Sequence, residues 1–361
     1  MSSPKEDGTV AATEQIGSIS IGESAERKDD ETGNNEDVEE NGTTPTKICS
    51  ACDKESDALM KCRNCKCVWY CDKDCQNKHW KEHKKGCKRI KKVLDKRGGK
   101  LNLGTEKDVG PLGKVPPREE CPICMRALPL HESLHSHFSC CGKTICCGCN
   151  LQHHLKSREL SLPRTCAFCR TAVPKSDEAI LAQIRKRVEL KDPVALVNMA
   201  MKYGSGRNGL PVDQAKCVEL LRESADLGFP GAQYNLGTFY HQGKMGLEQN
   251  EEEARKYYKE AAEGGHMLSL HNLGCAKAGN GDPVAAMRHW RLSASGGHKT
   301  SMGALIVCFE YGLLHHADLT ETLQALYLSR FEMKSEGRDQ HIAYLKMIGE
   351  YHAEYECILP V

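Results

Sequence analysis

The sequence lacks any long hydrophobic run. No apolar stretch among its 361 residues approaches the roughly 18–20 residues that a membrane-spanning helix needs. The opening residues, Met1 to Glu6, contain no apolar segment of the kind found in signal peptides. We therefore expect an intracellular protein, in the cytoplasm or the nucleus, whose cysteines stay reduced.

The sequence also lacks a surplus of charge of one sign. Lys and Arg number 50 against 49 for Asp and Glu, so the formal net charge is +1. Overall charge therefore gives no reason to expect nucleic acid as a partner. The sequence shows no nucleophile paired with a base and no phosphate-binding glycine loop, so a hydrolase or transferase with its own active site is not expected.

Residues 1–46 contain few aromatic or branched apolar residues and are rich in Gly, Ser, Thr, Asn, Asp and Glu. Such a segment cannot bury enough apolar surface to offset the entropy lost on ordering. We predict a disordered acidic tail, whose most acidic stretch, Asp29–Glu40, is solvated.

Cysteine, in contrast, is abundant, with 21 residues. Eight candidate zinc ligands fall in one short segment, in the order Cys49-x2-Cys52, Cys62-x2-Cys65, Cys71-x3-Cys75 and His83-x3-Cys87. These residues could supply two tetrahedral Zn²⁺ sites. A segment this small cannot build a sufficient core alone, so metal binding must supply its folding energy.

This segment, residues 47–89, resembles the MYND zinc finger. The resemblance includes the residues around the ligands, namely Tyr70, Gln76 and Trp80. It implies two interleaved zinc sites, one made of Cys49, Cys52, Cys71 and Cys75 and the other of Cys62, Cys65, His83 and Cys87. Two rival ligands, Cys67 and His79, fall outside the family register, and we predict that they are surface or packing residues.

A second cysteine-rich segment, residues 120–175, resembles a RING-type finger. Its three CxxC pairs are Cys121–Cys124, Cys146–Cys149 and Cys166–Cys169. The resemblance implies a cross-brace in which the first two of these pairs share one zinc. The last pair forms part of a second site, whose other ligands stay open because Lys143 stands where the family has a histidine. Either the adjacent Cys140 and Cys141 complete this site, or His137 or His135 replaces one of that pair.

RING-type fingers act through residues that do not bind metal. By resemblance, Ile123 would contact a ubiquitin-conjugating enzyme and Arg170 would brace the loaded ubiquitin, although Ala167 replaces the usual proline of the last pair. Such a ligase forms no covalent intermediate and works by positioning its partners. The alternative is a finger that only adds another docking surface.

From residue 193 the cysteine pattern gives way to a repeat. Related motifs start at Ala195, Ala232 and Ser269, 37 residues apart, and a poorer fourth unit starts at Ser301. Small residues, tyrosines and leucines recur at helical spacing between these motifs. The pattern resembles the Sel-one-like repeat, a helix–turn–helix unit related to tetratricopeptide repeats, which implies a solenoid that binds protein partners.

A basic stretch runs from Lys84 to Lys100, and Gly and Pro residues then mark a linker. We predict that the basic stretch is a solvated helix face. The alternative is a contact with nucleic acid through Lys88–Lys92, which would depend strongly on salt.

The predicted fold class is two small zinc-stapled cross-brace fingers followed by an all-α helix–turn–helix repeat solenoid. The segments are an acidic tail (1–46), the MYND-type finger (47–89), a linker (90–119), the RING-like finger (120–175), a connecting helix (176–192), Sel-one-like repeats (193–335), and a capping helix with a tail (336–361). We predict an adaptor that binds two Zn²⁺ in each finger and recruits proteins through its repeats and MYND finger. Two readings of this adaptor stay open. In one it is a RING-type ubiquitin ligase, and in the other it is a non-enzymatic scaffold.

Overall fold

The computed structural model describes residues 48–52, 54, 56, 58–96 and 113–349. The predicted acidic tail, residues 1–46, lies outside these ranges. Within them, no helix combines the length and the apolar character needed to cross a bilayer.

The first finger consists of a short hairpin followed by a long helix. Its elements are β1 (Met60–Lys61), β2 (Trp69–Tyr70), antiparallel to β1, and α1 (Lys73–Lys96). The Asp72 carboxylate accepts the N–H of Cys75 at 2.8 Å, which satisfies one of the free donors at the start of α1. Cys87, Ile90 and Leu94 recur at helical spacing and form the buried face of the helix.

The second finger also combines a hairpin and a helix. Its elements are β3 (His135–Phe138), β4 (Lys143–Cys146), antiparallel to β3, and α2 (Cys147–Glu159). The turn between the strands contains Gly142 at φ +72°, a conformation that side chains with a Cβ rarely adopt. A Cβ at this position would also collide with the guanidinium of Arg187.

From Asp177 to Met347 the described chain consists of helices joined by turns and loops. The helices before the last one are α3 (Asp177–Glu189), α4 (Pro193–Ser205), α5 (Gln214–Asp226), α6 (Pro230–Gln242), α7 (Glu251–Glu263), α8 (Met267–Gly279), α9 (Pro283–Ser295), α10 (Lys299–Glu310) and α11 (His316–Met333). Many begin with a residue whose side chain accepts a backbone N–H, as Asp192, Asp213, Asn250 and Asp282 do. These caps fix where each helix starts, so the repeat spacing of the sequence becomes a regular stack.

The helices pack in pairs, α4 with α5, α6 with α7 and α8 with α9. Glycines allow the paired helices to approach closely. A Cβ at Gly237 would lie 2.8 Å from the ring of Tyr258, and one at Gly274 would lie 2.4 Å from Nε1 of Trp290. The large aromatic residue of one helix thus fits against the glycine of its partner.

The first finger and the C-terminal repeats share one hydrophobic core. Buried Ile90 and Leu94 of α1 belong to the same cluster as Trp290 and Leu305 of the repeats. At the edge of this interface, the Arg89 guanidinium forms two hydrogen bonds to the Glu310 carboxylate, at 2.6 and 2.7 Å. The MYND-type segment therefore packs onto the repeats and is not a structurally independent domain.

The linker and the second finger lie along the same solenoid. Val115 packs with Met267 and Leu270, and the Arg118 guanidinium donates to the carbonyl of Gly296 at 3.2 Å. A cavity of about 320 Å³ separates the second finger from the helix starts of the repeats and is lined in part by Glu132.

The last described helix, α12 (Glu336–Met347), packs against α2 of the second finger. We predicted that this segment caps the helical stack. Its buried residue Ile342 instead joins Leu134 and Cys147 in a small apolar cluster. The difference arises because the second finger also offers an apolar surface, and α12 packs against it.

Candidate metal centres

Four groups of cysteine and histidine side chains each place their ligand atoms within 4.8 Å of one another. Sites A and B belong to the first finger, and sites C and D belong to the second. Site A consists of Cys49, Cys52, Cys71 and Cys75. Site B consists of Cys62, Cys65, His83 and Cys87. Site C consists of Cys121, Cys124, Cys146 and Cys149. Site D consists of Cys140, Cys141, Cys166 and Cys169.

Site A joins the loop before β1 to the start of α1. The Sγ atoms of Cys52 and Cys71 lie 3.5 Å apart. Burial raises the pKa of the Cys49 thiol, but N–H groups of Ala51, Cys52 and Cys71 outweigh this effect and lower the pKa to about 7. The backbone therefore favours the thiolate, which is the form that binds metal.

Site B lies deeper in the finger, and all four of its residues are buried. The Sγ atoms of Cys62 and Cys87 lie 3.7 Å apart, and Cys65 Sγ lies 3.4 Å from Nε2 of His83. His83 and Cys87 are one turn apart on α1, so both side chains reach the same point.

The two rival ligands of the first finger are packing residues. The Cys67 thiol donates to the carbonyl oxygen of Cys65 at 3.2 Å. His79 stacks on His83 with ring centroids 5.5 Å apart, and its Nδ1 lies 2.9 Å from the hydroxyl of Tyr70. Both side chains are buried, so neither is a surface residue.

Site C lies between the start of the second finger and α2. The N–H of Cys146 donates to Cys121 Sγ at 3.4 Å, and the N–H of Cys149 donates to Cys146 Sγ at 3.5 Å. A guanidinium from outside the finger also reaches this site, because Nη2 of Arg338 donates to Cys124 Sγ at 3.6 Å.

At site D the structure brings both adjacent cysteines to the last pair. Cys141 Sγ lies 3.6 Å from Cys166 Sγ, and Cys140 Sγ lies 3.4 Å from Cys169 Sγ.

The two alternative histidines of site D have other partners. His135 Nε2 donates to the carbonyl of Pro129 at 2.7 Å, and His137 Nδ1 lies 3.1 Å from the hydroxyl of Thr144. The geometry favours the all-cysteine set that the sequence left open.

The two positions expected to matter for ubiquitin transfer lie on the surface. The Ile123 side chain is 47% exposed, and Arg170 is exposed at a positive φ of 61° directly after Cys169. Ile123 stands inside the first cysteine pair of site C.

The donor chemistry of all four groups fits zinc. Thiolate and imidazole are the ligands that Zn²⁺ prefers in structural sites, and each group offers four of them. A tetrahedral ion with Zn–S bonds of about 2.3 Å places its sulfurs about 3.8 Å apart. The measured sulfur–sulfur distances of 3.4–3.9 Å lie close to this value. Each of these groups offers four protein ligands, so none leaves a position open for catalysis. Bound zinc would therefore be structural and would supply folding energy.

Sequence reasoning missed the buried residues that join these sites to the repeats. Arg338 reaches site C, and His316 of α11 lies 3.0 Å from the carbonyl oxygen of Cys65 in site B. Both lie more than 200 residues from the cysteines they contact, so no local spacing could have indicated them.

Comparison with known families identifies two of the modules. Residues 49–87 match the model of the MYND finger, and residues 193–229, 230–266 and 269–298 match the Sel1 repeat. The ligands of sites A and B all fall within the first match. The second match begins with α4 and ends before α10, and its first two repeats start 37 residues apart, as predicted.

Among curated proteins, the chain is similar to a SET and MYND domain-containing protein of Dictyostelium discoideum, with 40% identity over 65 residues. It is also similar to the histone-lysine N-methyltransferase Smyd1 of Mus musculus, with 42% identity over 45 residues. These matches cover 16% and 12% of this chain, and only 12% and 9% of the respective relatives.

Two solved structures resemble the helical part. The Sel1 repeat protein of Oxalobacter formigenes has 25% identity and a TM-score of 0.32, with 35% of this chain and 96% of that chain covered. The Escherichia coli antigen c5321, which displays an SLR fold, has 22% identity and a TM-score of 0.39, with 58% and 44% covered. Together, the family matches show that residues 49–87 form a MYND zinc finger and that the helical part contains Sel1 repeats within residues 193–298.

Proposed function

We propose that this protein is a non-enzymatic adaptor whose zinc ions are structural and whose partners bind to the Sel1 repeats and the MYND finger. The observation that carries the proposal is that, in the part of the chain that the structure describes, each candidate metal group is closed, with four protein ligands. A catalytic zinc keeps an open position for water or substrate, and these groups offer none. MYND fingers and Sel1 repeats are protein-interaction modules, which supports protein partners.

An open groove beside α5 is the surface of the repeats that we propose for a partner. Val218, Met245 and Leu247 contribute its apolar lining, and Glu223 and Asp226 stand at its rim. Its one arginine, Arg222, donates to the hydroxyl of Tyr240 at 2.9 Å. This arrangement suits a partner segment that combines apolar and basic side chains.

The groove is tested by proximity labelling in cells with wild-type protein and the Glu223→Lys/Asp226→Lys double variant. Glu248→Lys is the matched control, because Glu248 is an exposed carboxylate that does not line the groove. We expect the double variant, but not the control, to lose a subset of labelled proteins. Identical labelling in all three would refute the groove as a binding surface.

A second candidate function is RING-type ubiquitin ligation, and the exposure of Ile123 and Arg170 is the observation that favours it. The test combines the purified protein with ubiquitin, activating enzyme and a panel of conjugating enzymes. Ile123→Ala and Arg170→Ala should abolish chain formation by a ligase. Met125→Ala is the control, since Met125 is also apolar and is 69% exposed. Absence of chains with the wild-type protein across the panel would support the scaffold.

We further propose that sites A to D bind one zinc ion each. Elemental analysis of the purified chain should then give four zinc per molecule. Cys140→Ser and Cys141→Ser should each reduce the value to three, whereas His137→Ala should leave it unchanged. Retention of four zinc in one of the two cysteine variants, together with loss of zinc in His137→Ala, would instead support the histidine alternative for site D.

A further inference from the structure

Arg338 is a buried cation, and no carboxylate among the described residues pairs with it. It lies in the first turn of α12, and its exposed fraction is 0%. Helix α12 approaches the second finger so closely here that a Cβ at Gly148 would lie 2.4 Å from the backbone nitrogen of Arg338. The guanidinium therefore cannot turn to solvent while α12 stays docked.

The contacts of this guanidinium are two carbonyl groups and a sulfur. Nη1 donates to the carbonyl of Ala127 at 2.7 Å and to that of Met333, and Nη2 donates to Cys124 Sγ at 3.6 Å. Within the described part of the chain, no carboxylate forms an ion pair with it. The groups near Arg338 that can carry negative charge are therefore cysteine sulfurs, among them Cys124 and Cys146 of site C.

A buried cation without a counter-charge is strongly unfavourable. The charge of site C depends on metal, because four thiolates around one Zn²⁺ carry a net charge of −2, whereas four thiols carry none. The counter-charge for Arg338 is therefore greatest when site C is loaded.

We propose that Arg338 is the counter-charge of site C, so that zinc binding at this site and docking of α12 onto the second finger are coupled. The proposal rests on the zinc binding at site C proposed above. Because such coupling is reciprocal, zinc strengthens the docking of α12, and docked α12 strengthens the binding of zinc. Loss of zinc would release α12 and uncover the apolar surface of Leu134 and Cys147 that Ile342 covers.

Site C is consequently assembled from two distant parts of the chain. Its ligands come from the second finger, and its charge is balanced from the helix that follows the repeats, 214 residues after Cys124. Residues around a metal site that are not ligands typically change metal affinity by about 10- to 100-fold. Arg338 is a positioning residue of this kind.

The experiment titrates a chelator into full-length protein loaded with zinc. Alkylation with mass spectrometry follows each cysteine of site C, and hydrogen–deuterium exchange follows residues 336–347. In the wild-type protein, hydrogen–deuterium exchange of α12 should rise at the same chelator concentration at which the cysteines of site C become reactive. Arg338→Met should make site C lose zinc at about tenfold lower chelator concentration, and Arg338→Lys should lie between the two.

Arg291→Met is the matched control. Arg291 is also buried, but its guanidinium pairs with two carboxylates, Asp318 at 2.8 Å and Glu321 at 2.7 Å. We expect this variant to lower stability without selective loss of zinc from site C.

Three outcomes are distinguishable. Coupled release of zinc and α12, selectively sensitive to Arg338, supports the proposal. The coupling is refuted if zinc leaves site C without any change in α12, or if Arg338→Met binds zinc at site C with wild-type affinity. In either case the proposed zinc site stands. Cysteines of site C that react at once in freshly purified protein refute both the coupling and the zinc site.

Discussion

His316 offers the sharpest test of whether the MYND finger and the repeats are one structural unit. Its side chain is buried, with Nε2 at 3.0 Å from the carbonyl oxygen of Cys65 and 3.2 Å from Cys67 Sγ. A carbonyl oxygen can only accept, so Nε2 carries the proton and donates. His316 thereby connects the first turn of α11 to the loop that contributes a ligand to site B.

His316→Ala removes this donor and most of a buried ring. The Cys65 carbonyl would keep only the weak S–H donor of Cys67, and losing a buried hydrogen-bond partner costs about 1–3 kcal/mol. Truncating a buried side chain adds about 1–2 kcal/mol for lost contacts. The expected loss is about 2–5 kcal/mol, a large part of the roughly 5–15 kcal/mol of a typical domain.

The assay is urea unfolding followed by two probes, namely helical circular dichroism for the repeats and cysteine alkylation for sites A and B. We expect both midpoints to fall together in His316→Ala. His316→Gln is the control, because the glutamine amide can donate from near the position of Nε2 and should recover part of the loss. The two parts would be independent if the free energy of unfolding of the repeats stayed within about 0.5 kcal/mol of wild type while the cysteines of the finger alone became more reactive.

Three further predictions concern packing, pH and metal. Gly274→Ala should destabilise the repeats by about 1–3 kcal/mol in thermal unfolding, because its Cβ meets Trp290, whereas Gly303→Ala, where a Cβ meets nothing within 4 Å, should be neutral or stabilising. Burial and the nearby charge of Glu119 raise the pKa of Glu132 to about 7, so wild-type stability should fall as pH rises from about 4.5 through 7. Glu132→Gln should remove this fall in the free energy of unfolding. The fall should be on the order of 1 kcal/mol, because solvent reaches Glu132 through the cavity and weakens the effect. Equal pH profiles for the two proteins would contradict the raised pKa of Glu132. Chelation of zinc should lower the helical signal of the repeats as well as unfold the fingers, because Ile90 of the finger shares their core; an unchanged signal would contradict this.

The ligand sets of the MYND finger were predictable because metal binding is encoded locally. Thiolates must converge within a few ångströms, so their spacing along the chain is narrowly restricted, as Cys62-x2-Cys65 illustrates. Site D was not fully predictable, because more candidate ligands satisfy the local spacing than one zinc ion can bind. Cys140, Cys141 and His137 are all close enough in sequence, and only the tight turn at Gly142 decides which side chains face Cys166.

The repeats were predictable from their period, and the docking of the fingers on them was not. A 37-residue spacing of small and aromatic residues is a pattern within one module. The contacts of Arg338 and His316 with the fingers have no such pattern, because each is a single residue on an otherwise ordinary helix. Long-range packing of this kind depends on surface shape, which a single sequence does not display.

The long sequence separations at these interfaces have a consequence for synthesis of the chain. Cys67 and His316 are 249 residues apart, which a ribosome at about 5–20 residues per second covers in about 12–50 s. During that interval the MYND finger can bind zinc, but the apolar face of α1 around Ile90 and Leu94 has no repeat to cover it. A nascent or truncated chain that ends before α10 should therefore be prone to aggregation, because the packing of the MYND finger is completed only once α10 and α11 have been made.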